Sequence, residues 1–172
     1  SLIKNRFEVK IFEKSRGVGG RMSTRKEHPY VFDHGAQYFK IKNEDFMNFV
    51  SELFYKKIIR PWNFRCAYFE KNTLKKIKFF EKKDNFFVGT PNMDSIVKHL
   101  SKNCNVLLNT KIVKIMRKKK KWYLFDENNN TYGSYDWVIL SLPAQQSFKL
   151  LDRHSPICSF VKPIKMKGCF SL

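Results

Sequence analysis

The residues best suited to chemistry lie in one short run, Phe12–Arg25, FEKSRGVGGRMSTR. A short apolar strand precedes it: Phe7, Val9 and Ile11 alternate with Glu8 and Lys10 over Phe7–Phe12. The strand delivers a carboxylate, Glu13, at its end. An acid placed there can accept hydrogen bonds from both hydroxyls of an adenosine ribose. Gly17, Gly19 and Gly20 then allow the backbone to bend and to approach a ligand closely. Their N–H groups and the Arg21 guanidinium suit the oxygens of a pyrophosphate. Ser15, Arg16 and Met22 lie in the same turn and complete this candidate cofactor-binding set.

A second run, Phe32–Phe39, reads FDHGAQYF. Asp33 and His34 are adjacent, but an Asp-His step before glycine fits a turn with satisfied polar groups better than an acid–base pair. Gly35 and Ala36 are small enough for backbone to lie against a flat ring, and Gln37 can hydrogen-bond a ring edge. No GxSxG elbow accompanies the serines, and Ser23 sits inside the glycine turn, so a Ser/His/Asp triad is not supported. Cys66, Cys104, Cys158 and Cys169 are scattered without metal-binding spacing, and the candidate metal set is empty. Reduced thiols and a cytoplasmic location follow as expectations.

The elements that must position these residues can be read from periodicity. Ser1–Arg6 reads as the tail of a helix and Arg16–Arg21 as a loop. Val31–Ile41 reads as a turn leading into a strand. Asn43–Ile58 is the clearest helix: Asn43 caps it, Glu44 and Asp45 suit its positive end, and Phe46, Phe49, Val50, Leu53 and Phe54 form a core stripe. Two strands within Pro61–Phe80 join at Lys71–Asn72, and Phe87–Gly89 leads into a helix over Met93–Lys102. That helix should bury Met93, Ile96, Val97 and Leu100. Asn105–Leu108 is a short strand. A β-meander follows from Lys111, with Lys118–Lys121 at a hairpin tip and Val138–Leu142 as a buried strand. Pro143–Leu151 is helical, and the rest to Leu172 shows no clear element.

Composition bounds the class. The 172 residues are 42% hydrophobic and 16% aromatic, which is globular rather than disordered, and long enough for one core or a domain and a part. No apolar run reaches the roughly 18 residues of a membrane span, and Ser1–Phe7 lacks the apolar stretch of a secretory leader. A net charge of +19 invites a nucleic-acid reading, but the basic residues are spread along the chain and those at Lys118–Lys121 sit where charge is solvated. A basic nucleic-acid-binding module therefore stands as the rival from another class, with a small-molecule substrate as the expected partner and nucleic acid disfavoured. Oligomeric state is open.

Phe12–Arg25 closely resembles the second strand and following loop of the renalase-like branch of the flavin-containing amine oxidoreductases. The match covers Phe7–Phe39 and Phe87–Gln146. Phe87–Met93 (FVGTPNM) is similar to the family's (Y/F)VGxPGM segment, with Asn92 where glycine is usual. Ser141–Ala144 resembles its (A/S)xPAPQ turn, with Gln145 where proline is preferred. The resemblance implies an α/β fold: a partial Rossmann-type FAD-binding domain with a β-meander, plus part of an antiparallel or mixed substrate-side domain. It implies FAD as cofactor, a flavin-facing role for Gly35, Ala36 and Gln37, and a backbone contact to adenine at Ile112 or Val113. The implied activity is hydride transfer from a reduced small organic substrate, from amines to NAD(P)H-type dihydronicotinamides, to flavin N5. Oxygen or another acceptor would reoxidise it. No catalytic base can be named.

The family opens with a strand and GxGxxG about 20 residues before the ribose acid, whereas twelve residues precede Glu13 here and none of Ser1–Lys10 is glycine. The expectation is a piece of a longer flavoprotein: residues 1–42 and 91–150 from its FAD-binding domain, 43–90 from its substrate side, and 151–172 opening a further segment. An exposed seam beside Phe7–Phe12 and weak FAD binding by the piece alone follow, and a catalytically inactive fragment of the same fold remains the nearest alternative.

Overall fold

The computed structural model describes residues 2–152 and 155–168, except the side chain of residue 4. Cys169 and the chain's last residues lie outside the described part, as does Ser1 of the expected helix tail. The chain is mixed α/β and divides into two compact units. One comprises the described residues of 1–17 and 105–170, the other Val18–Cys104.

In chain order, a 3-10 turn over Ile3–Asn5 ends at Arg6 in the left-handed region and leads to β1 (Lys10–Phe12). A second 3-10 turn covers Gly20–Met22. Next come β2 (Arg25–Glu27), β3 (Tyr30–Phe32), β4 (Phe39–Lys40) and α1 (Glu44–Tyr55). β5 (Ile59–Pro61), β6 (Phe64–Glu70), β7 (Thr73–Phe80) and β8 (Phe86–Gly89) follow, then α2 (Asp94–Ser101) and β9 (Asn105–Leu107). β10 (Ile112–Lys118), β11 (Lys121–Asp126), β12 (Thr131–Tyr135), α3 (Ala144–Leu150) and α4 (Ile157–Val161) complete the described chain.

In the Val18–Cys104 unit, β8 lies between β4 and β5, antiparallel to both. α1 starts as its sequence requires, with Phe46 N–H donating to the Asn43 side chain at 2.9 Å. Its apolar side buries Val50 and Leu53 into a core with Ile41, Ile59, Phe87, Met93 and Ile96. The expected stripe is only half used. Phe49 is 59% exposed and Phe46 lies at the surface, where the two rings stack on each other. Of the four residues expected on the buried face of α2, Met93 just before the helix and Ile96 are buried, Val97 is half-buried, and Leu100, near its end, is exposed. β2 and β3 pair as a hairpin that was not expected, since the sequence reading assigns no element to Arg25–Glu27 and places the turn at Val31, and β4 is two residues long.

In the other unit, β1 pairs parallel with β9, Lys10 to Asn105 through Phe12 to Leu107. Only the last three residues of the expected strand join a ladder, and Phe7 is exposed. β10, β11 and β12 form the expected antiparallel meander, with Lys119 and Lys120 at positive φ in the tip. The turn after β11 is built around buried Asp126. Its carboxylate accepts hydrogen bonds from Asn128 N–H, Asn130 N–H, the Asn130 side-chain amide and the Tyr132 hydroxyl at 2.9–3.0 Å. These donors, the Asn130 amide foremost, hold Asp126 below the usual carboxylate range despite its burial.

Val138–Leu142 corrects the expectation of a buried strand. No described strand pairs with it, and Trp137 and Ile139 are 84% and 73% exposed. A continuous apolar run becomes a buried strand only when neighbours cover both its faces. Here none of the described strands does so.

Candidate functional site

Glu13 is set by the end of β1. The ladder to β9 continues one residue past the strand, with Glu13 N–H donating to Leu107 O at 2.8 Å. The Phe12 ring packs edge-on against Tyr132 at 4.9 Å and against Tyr135 at 6.2 Å. The backbone is also tied beyond Glu13. Thr110 N–H donates to Glu13 O at 2.9 Å, and Asn109 N–H to Ser15 O at 3.0 Å. The Glu13 side chain folds back on its own turn, with Oε1 accepting from Ser15 N–H at 2.8 Å. A carboxylate held this way points in one direction and keeps lone pairs for hydroxyl donors.

Ile112 and Val113 belong to this same unit, a short step after Thr110. Ile112 pairs with Asp126 and Lys114 with Phe125, so Val113 falls in a register irregularity between them. A bulged residue is left out of the ladder, and its backbone can bond elsewhere. Val113 is also exposed.

Gly17 ends this unit, and nothing lies within 4 Å of where its Cβ would stand. Arg16 is exposed.

In the Val18–Cys104 unit, the 3-10 turn Gly20–Met22 carries Arg21, which is exposed. Gly19 at φ 148° and Gly20 at φ 51° occupy backbone that L side chains rarely adopt. The space beside Gly20 is open. Gly35 meets this turn from the second motif. A Cβ on Gly35 would stand 2.1 Å from Arg21 O, and the next residue, Ala36, donates its N–H to that oxygen at 2.7 Å. Two segments distant in sequence are thereby clasped backbone to backbone. The bare face of Gly35 is occupied by Arg21 carbonyl, while Ala36 and Gln37 are exposed.

Asp33 does structural work of its own. Its carboxylate accepts from the Thr24 hydroxyl at 2.5 Å and from Met93 N–H at 3.2 Å, and Thr24 Oγ1 accepts from Asp94 N–H at 3.3 Å. The pair Thr24–Asp33 satisfies the donors at the start of α2 and favours its positive end. This is the turn with satisfied polar groups expected for Asp33. His34 is exposed, with Nε2 3.3 Å from Ser23 Oγ. The Thr24 contribution was not anticipated. Its only signal is a Thr and an Asp flanking a hairpin, which sequence cannot aim at a distant helix.

An open cleft of about 720 Å³ lies within this unit and is lined in part by Arg25, Gln37, Arg60, Trp62 and Pro91. That size is in the range of small-molecule pockets. Gln37 is the one expected site residue on its wall. Arg60 and Trp62 were missed because they come from β5 and the residue after it, which pass as ordinary strand sequence.

No group of three or more His, Cys, Asp and Glu among the described residues is placed to hold a metal. The described thiols Cys66, Cys104 and Cys158 are free. No described helix is long and apolar enough to cross a membrane. Residues 1–53 match the family model described as an NAD(P)-binding Rossmann-like domain. The match includes β1, Glu13, the glycine turn and Gly35–Gln37, which supports a dinucleotide cofactor, such as FAD or NAD(P), and an oxidoreductase.

Proposed function

We propose that this chain is part of an FAD-dependent oxidoreductase of the renalase-like kind, which takes hydride from a reduced small organic substrate. The observation that carries the reading is the clasp of Arg21 by Gly35 and Ala36. It joins the two motifs whose residue types suit a pyrophosphate and a flat ring. Each unit taken by itself supports the reading: one holds the preset Glu13 carboxylate, the open space beside Gly17 and the bulge at Val113, and the other the open space beside Gly20.

On this reading Glu13 accepts the ribose hydroxyls, with Ser15 N–H orienting its carboxylate. Ile112 or Val113 meets adenine through the backbone. Gly17, Gly19 and Gly20 present N–H groups, and Arg16 and Arg21 bring positive charge, for phosphate oxygens. Met22 packs against the core behind the turn and holds it in place. Ala36 and Gln37, which are exposed, flank the ring, Gly35 packs its bare face against the Arg21 carbonyl and so holds that segment in place, and the cleft beside Gln37 admits the substrate. Bound flavin supplies the hydride acceptor, and the protein's part is orientation. Residues 1–42 and 91–150 are assigned to the FAD-binding domain, 43–90 to the substrate side, and 151–172 to the start of a following segment.

The test is the absorbance spectrum of the purified full gene product with and without added FAD. Bound flavin that is bleached by an anaerobic reduced substrate is the expected result. A colourless protein that does not respond to FAD sinks the reading.

A further inference from the structure

β5 divides its side chains between the core and the cleft of the Val18–Cys104 unit. Ile59 is buried in the core, while Arg60 and Trp62, on the other side of the strand, line the cleft. The ladder runs on past β5, with Trp62 N–H donating to Phe86 O at 2.8 Å. The Trp62 ring is held by stacking on Phe64 at 4.1 Å and by Tyr38 at 5.8 Å. Arg60 pairs across the ladder with Val88, which also lines the cleft. Arginine and tryptophan thus stand two residues apart on a paired strand, in a cleft that also contains Gln37.

The charged side chains lining the cleft are Arg25, Glu27, Asp33 and Arg60, beside the imidazole of His34. Arg25 and Glu27 are paired with each other at 3.0 Å. The Asp33 carboxylate accepts from the Thr24 hydroxyl and from Met93 N–H, and it lies at the positive end of α2. His34 Nε2 lies 3.3 Å from Ser23 Oγ. Arg60 has no ion pair with an acid among the described residues. One pair of charges therefore cancels, Asp33 is committed to the start of a helix, and Arg60 alone keeps its donors.

A guanidinium grips a carboxylate through two parallel N–H bonds. One uncommitted guanidinium matches a ligand with one negative charge, and it repels the ammonium of a simple amine. Trp62 and Val88 beside it offer apolar area to the rest of such a ligand. We propose that the cleft takes a small organic acid, with Arg60 gripping its carboxylate and Trp62 lying against its apolar body. Arg60 is then the residue that selects the charge of the substrate. The proposal deepens the oxidoreductase reading and rests on it for the ligand's fate as hydride donor, whereas recognition of the acid is measured without turnover.

The experiment is isothermal titration calorimetry of the full gene product with three probes of similar shape: benzoate, benzamide and benzylamine. Benzoate should bind saturably and about tenfold or more tightly than either of the others. Arg60→Gln should weaken benzoate about tenfold to hundredfold and leave benzamide within about twofold. Arg60→Lys keeps the charge but loses the fork, and its benzoate affinity should fall between the two. Arg65→Gln changes an exposed arginine outside the cleft and should leave benzoate binding unaltered. Arg60 is itself exposed, and a thermal melt confirms that each variant folds. The proposal is overturned by equal affinity for benzoate and benzamide, or by benzoate binding that Arg60→Gln leaves intact. It is also overturned if no probe binds, the result expected were another stretch of the chain to lie across Arg60. The absorbance spectrum separates the two readings. A yellow protein without Arg60-dependent benzoate binding overturns this proposal alone, while a colourless protein that binds benzoate through Arg60 supports the acid site and sinks only the flavin reading.

Discussion

Gly35→Ala tests the clasp that unites the two motifs. The new methyl would stand 2.1 Å from Arg21 O and 2.9 Å from Arg21 C, where ordinary contact begins at 3.4 Å. Both groups are backbone, so no side chain can swing away. The 3-10 turn and the Gly35–Ala36 segment must part by about 1.3 Å, and the Ala36 N–H to Arg21 O bond at 2.7 Å then breaks. Overpacking costs about 1–3 kcal/mol and the hydrogen bond about 1 kcal/mol. The sum, about 2–4 kcal/mol, corresponds to a melting point lower by roughly 5–15 °C in a chain of this size. Circular dichroism melts of the variant beside Gly17→Ala provide the assay. Gly17 has open space around its Cβ position and ordinary φ, so its variant should stay within about 0.5 kcal/mol of the parent. Equal melting points for Gly35→Ala and the parent would refute the close approach.

Further outcomes follow from other named contacts. Asp33→Ala removes the acceptor for Thr24 and for Met93 N–H at the start of α2, and should cost about 2–3 kcal/mol in urea titration, while Thr24→Val should cost less. Leu53→Ala empties part of the core beside Met93 and should cost about 2–5 kcal/mol by the same measurement. Asp126 is held below its ordinary value of 3.8 in the folded chain, so its contribution is present above that value and is lost as pH falls through the lower folded one. Acid titration of stability should therefore show a drop below pH 3.8 that Asp126→Asn flattens, together with a lower stability of that variant at neutral pH.

What sequence revealed and what it hid divide along local and distant causes. α1 was legible because Asn43, Glu44 and Asp45 announce its start and the Val50–Leu53 spacing marks its inner side. The β6–β7 turn was legible because Lys71-Asn72 separates two apolar runs, and the three-strand meander because Lys118–Lys121 and Asp126–Asn130 punctuate it. Val138–Leu142 misled because apolar content shows what a segment would bury, not whether a neighbour is there to bury it. Phe49 and Leu100 misled for the same reason: they continue a helical stripe past the edge of the core. In the candidate site, the glycine and acid types were visible, but their functions were only partly so. Gly35 gives its missing side chain to Arg21 carbonyl, and Asp33 serves the start of α2. Both depend on contacts between residues far apart in sequence.

The central claim is that Glu13 and the glycine turn hold the adenosine end of a bound FAD. The direct measurement is fluorescence titration of FAD into the full gene product and into its Glu13→Gln variant. Saturable binding, weakened about tenfold to hundredfold by removing the charged acceptor while the melting point stays unchanged, is the predicted result. No binding by the parent protein, or equal affinity in the variant, would contradict it.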